Sequence, residues 1–280
     1  MMSEQPQPKH QQHKRKTESE QIEETPELIE LKKEWTNYQL ENSKKIILTD
    51  SDNLSDQKLK YVGGLDITYS TTQPNLSIGC LAICEYPSCK LLHSITIEKE
   101  VTVPYIPGFL AFKENVMYKE LLQKCKEEYS DCFPQLFMID GNGIYHPRRF
   151  GSACQIGIEN DVPTLGVAKT VLYVDGITRN MVTEMTLKTP HGGTGNLYTE
   201  NGEHLCTLIR SGEGKHPILV SPGHKISMKR SVEIVQKMLI HKIPEPIFLA
   251  DKLSRKVYTQ EGKLEHKKRF KNPKKMFDGK

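Results

Sequence analysis

The sequence predicts a mixed α/β fold: three antiparallel strands continued by parallel strands in one sheet, with helices flanking it. Three observations lead there. β-Rich runs of strand length open the patterned part of the chain. Stretches at helical spacing then alternate with short, continuously apolar runs, and Pro/Gly breaks separate the two regimes. A chain of 280 residues with 36% hydrophobic and 26% charged residues can build one sizeable core.

The elements follow in order. Residues 1–25 are Gln-, Lys- and Glu-rich with few apolar groups, so they are expected to form a disordered tail. From Pro26, the spacing of Leu28, Leu31, Trp35 and Leu40 predicts an amphipathic helix docked on the domain. YVGGLDITY, LSIGCLAICEY and KLLHSITIEKEV read as three meander strands from Tyr61 to Val101, and Pro104 and Pro107-Gly108 break the chain after them. A helix ending near Glu128 is expected to turn Phe109, Leu110, Phe112, Val116, Leu121 and Leu122 inward. LFMID is a short buried strand, FGSACQIGIEN a small-residue helix and PTLGVAK another buried strand. MVTEMTLK, EHLCTLIR and HPILVS read as strands; Ser227–His241 and Glu245–Lys256 read as helices. The Gly-rich stretch from Thr189 to Asn201 reads as a flexible insertion. Residues 26–258 are thus expected to form a single domain, and 259–280 a basic, disordered tail. A three-strand meander carried into a parallel sheet by helical crossovers is the order of ribonuclease-H-like folds.

Composition excludes several classes. No run approaches the roughly 18 apolar residues of a membrane span. The N-terminus carries basic residues without an apolar h-region, so a secretory signal is not expected. The expected location is cytoplasm or nucleus, the nucleolus included. Seven cysteines without any Cys-x-x-Cys pair argue for reduced thiols rather than structural zinc. Charge is uneven: Glu261–Lys280 holds eight Lys/Arg against three Asp/Glu, so the rest of a chain totalling +4 sums to −1. Such an arm suits phosphate binding or nuclear import, or is a solvated end.

Two aspartates carry the chemistry. Asp66 lies inside the first strand, where Asp is disfavoured and a buried charge needs a partner; a Lys or Arg could be that partner. Asp140 follows Phe137, Met138 and Ile139 at the end of the fourth strand, where it could also be a turn former before Gly141. With the first and fourth strands adjacent, the two carboxylates converge. A hard divalent cation such as Mg2+, for which Mn2+ can substitute, would resolve their repulsion. Glu114, early in the helix after PYIPG, is either a third acid of that centre or an acid placed by the helix dipole.

VGGLDITY, PYIPGFLAFKE, DGNGIYHPRRFGSA, LGVAKT and VSPGHKIS, in that order from Tyr61 to Lys256, closely resemble the motifs of the endonuclease V family. Five separated blocks are far more specific than any one. The resemblance implies a ribonuclease-H-like fold, Asp66 and Asp140 as metal ligands, and Glu114 as the assisting acid. It makes Lys169 the active-site lysine; read alone, Lys169 could equally be a salt-bridged strand cap. His224 matches a family histidine near the metal centre, although a Pro-Gly-His turn can also be purely structural. Pro104, Tyr105, Ile106, Pro107 and Gly108 match a strand-separating wedge in which Tyr105 stacks; the bland reading is packing in a Pro-rich corner. Gly141 and Gly143 would let backbone approach the base, with His146, Arg148 and Arg149 available to phosphate.

The implied activity is metal-dependent hydrolysis of the second phosphodiester bond 3′ to inosine, leaving 3′-hydroxyl and 5′-phosphate ends. The polar extension, Lys-rich tail and reduced thiols are read as marks of a eukaryotic member. The expected substrate is accordingly single-stranded inosine-containing RNA, with deoxyinosine in DNA as the alternative. Competing readings are a structure-selective ribonuclease-H-like nuclease and a non-catalytic inosine or RNA binder.

Overall fold

The computed structural model describes residues 25–70, 73, 75–212 and 216–260. Both tails read from the sequence, up to residue 24 and from 261, lie outside them. The helices are α1 (Pro26–Ser43), α2 (Leu110–Glu128), α3 (Ser152–Asn160), α4 (Arg179–Lys188), α5 (Met228–Lys237) and α6 (Glu245–Gln260). The strands are β1 (Tyr61–Tyr69), β2 (Leu76–Glu85), β3 (Leu91–Glu100), β4 (Leu136–Ile139), β5 (Thr164–Ala168), β6 (Thr194–Tyr198), β7 (His204–Ile209) and β8 (Ile218–His224).

All eight strands form one sheet in the order β3-β2-β1-β4-β5-β8-β7-β6. β1, β4 and β5 run parallel at its centre, and the remaining neighbours are antiparallel. This is the ribonuclease-H-like arrangement, and it brings the C-terminal ends of β1, β4 and β5 together at one edge. The sheet's alternation divides the core into two layers. Leu65, Leu81, Phe137 and Ile139 pack against Met117, Tyr118, Leu121 and Ile156 of α2 and α3. Val62, Met138, Leu165 and Val220 pack on the other face against Ile234, Val235 and Ile247 of α5 and α6. Gly64 lets α6 lie directly on β1: a Cβ there would sit 2.1 Å from the Pro246 backbone.

Several local expectations are corrected. MVTEMTLK is not a strand but most of α4. Thr178 caps that helix by accepting the Met181 N–H, and Val182 and Thr186, four residues apart, face inward. The cap and the 3.6-residue period outweigh the β propensity of its Val and Thr residues. The 189–201 stretch is not an insertion but contains the edge strand β6. Gly195 is required there, because a Cβ would meet the Met185 sulfur of α4 at 2.6 Å. Leu40 and Val116, expected to face inward, are 46% and 43% exposed. α1 docks through Trp35, one of the residues of its expected face, stacked on Phe112 at 4.4 Å, and also through buried Gln39. The seven cysteines are free, and six of them are buried.

Candidate active site

Asp66 and Asp140 meet because β1 and β4 are adjacent. The ladder continues past Ile139: the Asp140 N–H donates to the Leu65 carbonyl at 3.2 Å, setting Asp140 beside Asp66. Asp66 is only 6% exposed. Burial pushes its carboxyl well above the usual range, and the neighbouring charges of Asp140 and Asp251 push it further. Lys169, just beyond β5, donates to Asp140 Oδ2 at 2.5 Å. Burial pulls the Lys169 ammonium down, but the surrounding acids prevail and keep it above its ordinary value.

Glu114 reaches the same edge from α2, in its second turn. It is buried, and its pKa is raised to about 8 by burial and then by Asp140. The Tyr69 hydroxyl donates to its Oε1 at 3.2 Å, whereas Oε2 is buried without a partner among the described residues. A buried orphan acceptor is costly, so this oxygen points to a group that completes the site.

Those features fit a hard divalent cation. The donors are all carboxylate oxygens, like charges face each other, and an acceptor waits unsatisfied. Among the described residues no three or more His, Cys, Asp or Glu form a ready chelate. A pair of carboxylates with waters and substrate oxygens making up the rest is the coordination Mg2+ favours.

Beside the acids lies a cavity of about 700 Å³ whose walls include Tyr105, Gly108, Gly141, His146, Leu172 and Tyr173. The wedge loop is fixed from behind. The Gly108 carbonyl accepts from Gln39 Nε2 (3.2 Å), His146 Nε2 (3.1 Å) and Arg148 Nη2 (2.8 Å). Gly108 itself adopts φ +82°, which favours glycine. Ile106 is buried as the loop's anchor, while Tyr105 stays 42% exposed and Pro104 and Pro107 flank it at the surface. His146 accepts from the Arg148 N–H at Nδ1 and is buried; its pKa is lowered to about 4, chiefly by burial, so the ring is neutral.

Four of the expected residues are engaged by other groups. His224 is not at the acids: it pairs with Thr164 at the opposite end of β5 from Lys169, and its Nδ1 accepts the Ile47 N–H at 3.3 Å. The Pro-Gly-His segment is strand, not turn. Its block serves the pocket indirectly, since Ser221 Oγ accepts the Gly143 N–H and the Pro222 carbonyl accepts the Ile144 N–H, both at 2.9 Å. Gly143 therefore does not line the cavity but clamps its loop to β8, with a Cβ 2.1 Å from the Pro222 oxygen. Arg149 is paired with Asp175 (2.6 Å) and Glu203 (2.8 Å), and Arg148 lies over the Phe109 ring at 4.3 Å.

A profile described as Endonuclease V matches residues 41–252. The chain belongs to the endonuclease V family. It is 35% identical to the mouse endonuclease V over 200 residues, 70% of this chain and 59% of the mouse protein. It is 32% identical to the human one, over 71% of that protein. A Ciona intestinalis endonuclease V, crystallised with a 24mer DNA containing an inosine followed by a ribo-adenosine, superposes with a TM-score of 0.79 at 35% identity. That match covers 83% of this chain and 99% of the other. The family's members are nucleases.

Asp251, on α6, joins the two aspartates without having been singled out from the sequence. β1 faces α6 from Gly64, under Pro246, to Thr68, whose hydroxyl meets that of Ser254 at 2.7 Å. Asp66 lies between those two contacts, so Asp251 falls beside it, and its charge acts on both Asp66 and Lys169. The sequence did hold a signal. Asp251 stands four residues after Ile247 and three before Ser254, both fully buried, which puts an acid at the border of an apolar stripe.

Proposed function

We propose that the chain is a divalent-metal-dependent endonuclease that hydrolyses the second phosphodiester bond 3′ to inosine, preferentially in single-stranded RNA. The products carry 3′-hydroxyl and 5′-phosphate ends. The observation that carries this reading is the juxtaposition of an unsatisfied carboxylate centre with a cavity fronted by an exposed, rigidly mounted tyrosine. Asp66 and Asp140 would hold Mg2+, or Mn2+ in its place, with Glu114 and Asp251 adding negative charge around them. When bound, such an ion supplies Lewis acidity at the phosphate and makes water acidic enough to attack near neutral pH.

The chain's own groups do the rest. Lys169 neutralises charge developing on the phosphate. Glu114 Oε2 is free to accept a hydrogen from a water at the centre and orient it. Tyr105 fills the gap left by an extruded base, a contact worth roughly 1–3 kcal/mol. The Gly141–Asn142 backbone and neutral His146 shape the wall against which the base lies, as Gly141 has room for close approach. The Ciona relative was captured on a strand in which a ribonucleotide follows inosine, which supports a 2′-hydroxyl contact and hence RNA. Among the described residues no helix is long and apolar enough to cross a membrane, in keeping with a cytoplasmic or nuclear enzyme.

The test is a panel of matched RNA and DNA strands with and without inosine, incubated with Mg2+, Mn2+ or EDTA. The expected result is inosine-dependent, EDTA-sensitive cutting, faster on RNA. Equal cutting of inosine-free hybrids would favour a structure-selective nuclease, and binding without cutting a pure inosine binder.

A further inference from the structure

We propose that Tyr173 and Arg179 form a second grip on the nucleic acid, in the cavity that Tyr105 also lines. Tyr173 would stack on a base next to the extruded one, and Arg179 would pair with the backbone phosphate there. The inference rests on the reading of the cavity as an inosine site and adds residues to it.

Tyr173 is 75% exposed, more than any other large hydrophobic side chain among the described residues. Its backbone is nevertheless held on both sides. The preceding residue, Leu172, packs against the core and accepts the Tyr145 hydroxyl at its carbonyl, at 2.5 Å. The following residue, Val174, is buried and bridges to Ile177. A fixed backbone that presents a bare ring to solvent gains nothing for folding. It does provide a stacking surface whose ordering cost is already met.

Arg179 opens α4, where a cation is on the unfavourable side of the helix dipole. Its guanidinium has no ion pair or hydrogen bond among the described residues, unlike Arg149 and Arg148 nearby. Both Tyr173 and Arg179 line the cavity that Tyr105 fronts. Its volume is of the order of sites for whole drug-sized ligands, roughly 300–1,000 Å³, which leaves room beyond one flat base. A tyrosine and an arginine lining it are the groups that single-strand binders use: a ring for the base and a cation for the phosphate.

The experiment uses the full chain with Ca2+ or a cleavage-dead Asp140→Asn background, and inosine strands carrying 2-aminopurine immediately 5′ or immediately 3′ of the inosine. Binding of the protein with Tyr173 intact should quench the fluorophore in one of the two arms. Tyr173→Ala should abolish that quenching and weaken binding by roughly tenfold, while Tyr173→Phe retains both. Arg179→Ala should weaken binding and lower its salt dependence by about one counterion. With Mg2+, the otherwise unaltered Tyr173→Ala enzyme should show a raised KM with kcat within about twofold. Unchanged affinity and quenching in Tyr173→Ala, with inosine still cleaved by the parent enzyme, overturns the second grip and leaves the proposed function standing. Failure of the parent enzyme to discriminate inosine strands overturns both.

Discussion

The acid centre and the wedge loop adjoin the same cavity and are built on opposite principles. In the wedge loop, the Gly108 carbonyl is contacted by three donors, His146 is kept neutral with both ring nitrogens engaged, and Ile106 anchors the turn. At the acid centre, Asp66 and Asp140 are forced together against their charges, and Glu114 Oε2 has no partner among the described residues. One region has its polar groups paired; the other keeps an unpaired carboxylate oxygen among like charges. Under the proposed function, a pre-satisfied wedge keeps its shape when the strand arrives, so stacking energy goes into extruding the base. The proposed ion would relieve the like-charge contact there, coupling affinity for the ion to burial of the carboxylates.

The largest test of that contrast removes the acids. Asp66→Asn and Asp140→Asn should each lower Mg2+-dependent cleavage at least about 10³-fold, since the loss of one preorganised electrostatic contributor alone typically costs 10²–10³. Binding of an inosine strand, measured by anisotropy, should stay within a few-fold. In EDTA, Asp66→Asn should raise the melting temperature, because it removes the buried like-charge contact. A lowered melting temperature would mean the pair is not in conflict. Lys169→Met should cost roughly 10²-fold in single-turnover rate with little change in binding. A binding defect of the same size would instead make Lys169 a substrate anchor.

Much of this contrast is legible in the chain. Asp66 and Asp140 stand out because an acid in a strand and an acid at a strand's end are costly unless they share a partner, and the strand order puts them together. Tyr105 stands out because two prolines hold it in a turn. What failed to show is tertiary. His224 sits in a block that matters, yet the sheet turns its ring toward Ile47 while its neighbours Ser221 and Pro222 hold the pocket loop. Gly143 looks like a base-contacting glycine and is a packing one, for the same reason. Asp251 is separated from Asp66 by most of the domain's length, and only the docking of α6 on Gly64 brings them side by side. The misread α4 and β6 depended on a threonine cap and on an edge strand whose glycine answers to Met185, neither visible as periodicity.

Next in size is the wedge itself. Tyr105→Ala should weaken binding of an inosine strand by about tenfold, while Tyr105→Trp keeps it, because stacking needs a ring and not a hydroxyl. Its melting temperature should hardly move, given that the side chain is exposed. If Tyr105→Ala instead destabilises the fold, the tyrosine is packing rather than wedge.

A last test separates the two regions by the sign of their response to pH. Burial lowers the folded-state pKa of His146 to about 4, below its usual 6.5, so the unfolded chain takes up the proton first. Its contribution to stability is complete above about pH 6.5 and is lost as the pH falls toward 4. Glu114 is the reverse: its folded pKa is raised from 4.5 to about 8, so in the absence of a divalent ion its contribution is complete below about pH 4.5 and is lost as the pH rises through 8. Each amounts to a few kcal/mol at most, since one pKa unit corresponds to about 1.4 kcal/mol. Thermal melts in EDTA across pH 4–8.5 should therefore show His146→Gln flattening the acid limb and Glu114→Gln flattening the alkaline limb. Mg2+ should flatten the alkaline limb of the unaltered chain as well, because a cation favours the charged carboxylates, and leave the acid limb alone. If His146→Gln and Glu114→Gln changed the same limb, the wedge and the acid centre would be one electrostatic unit rather than two.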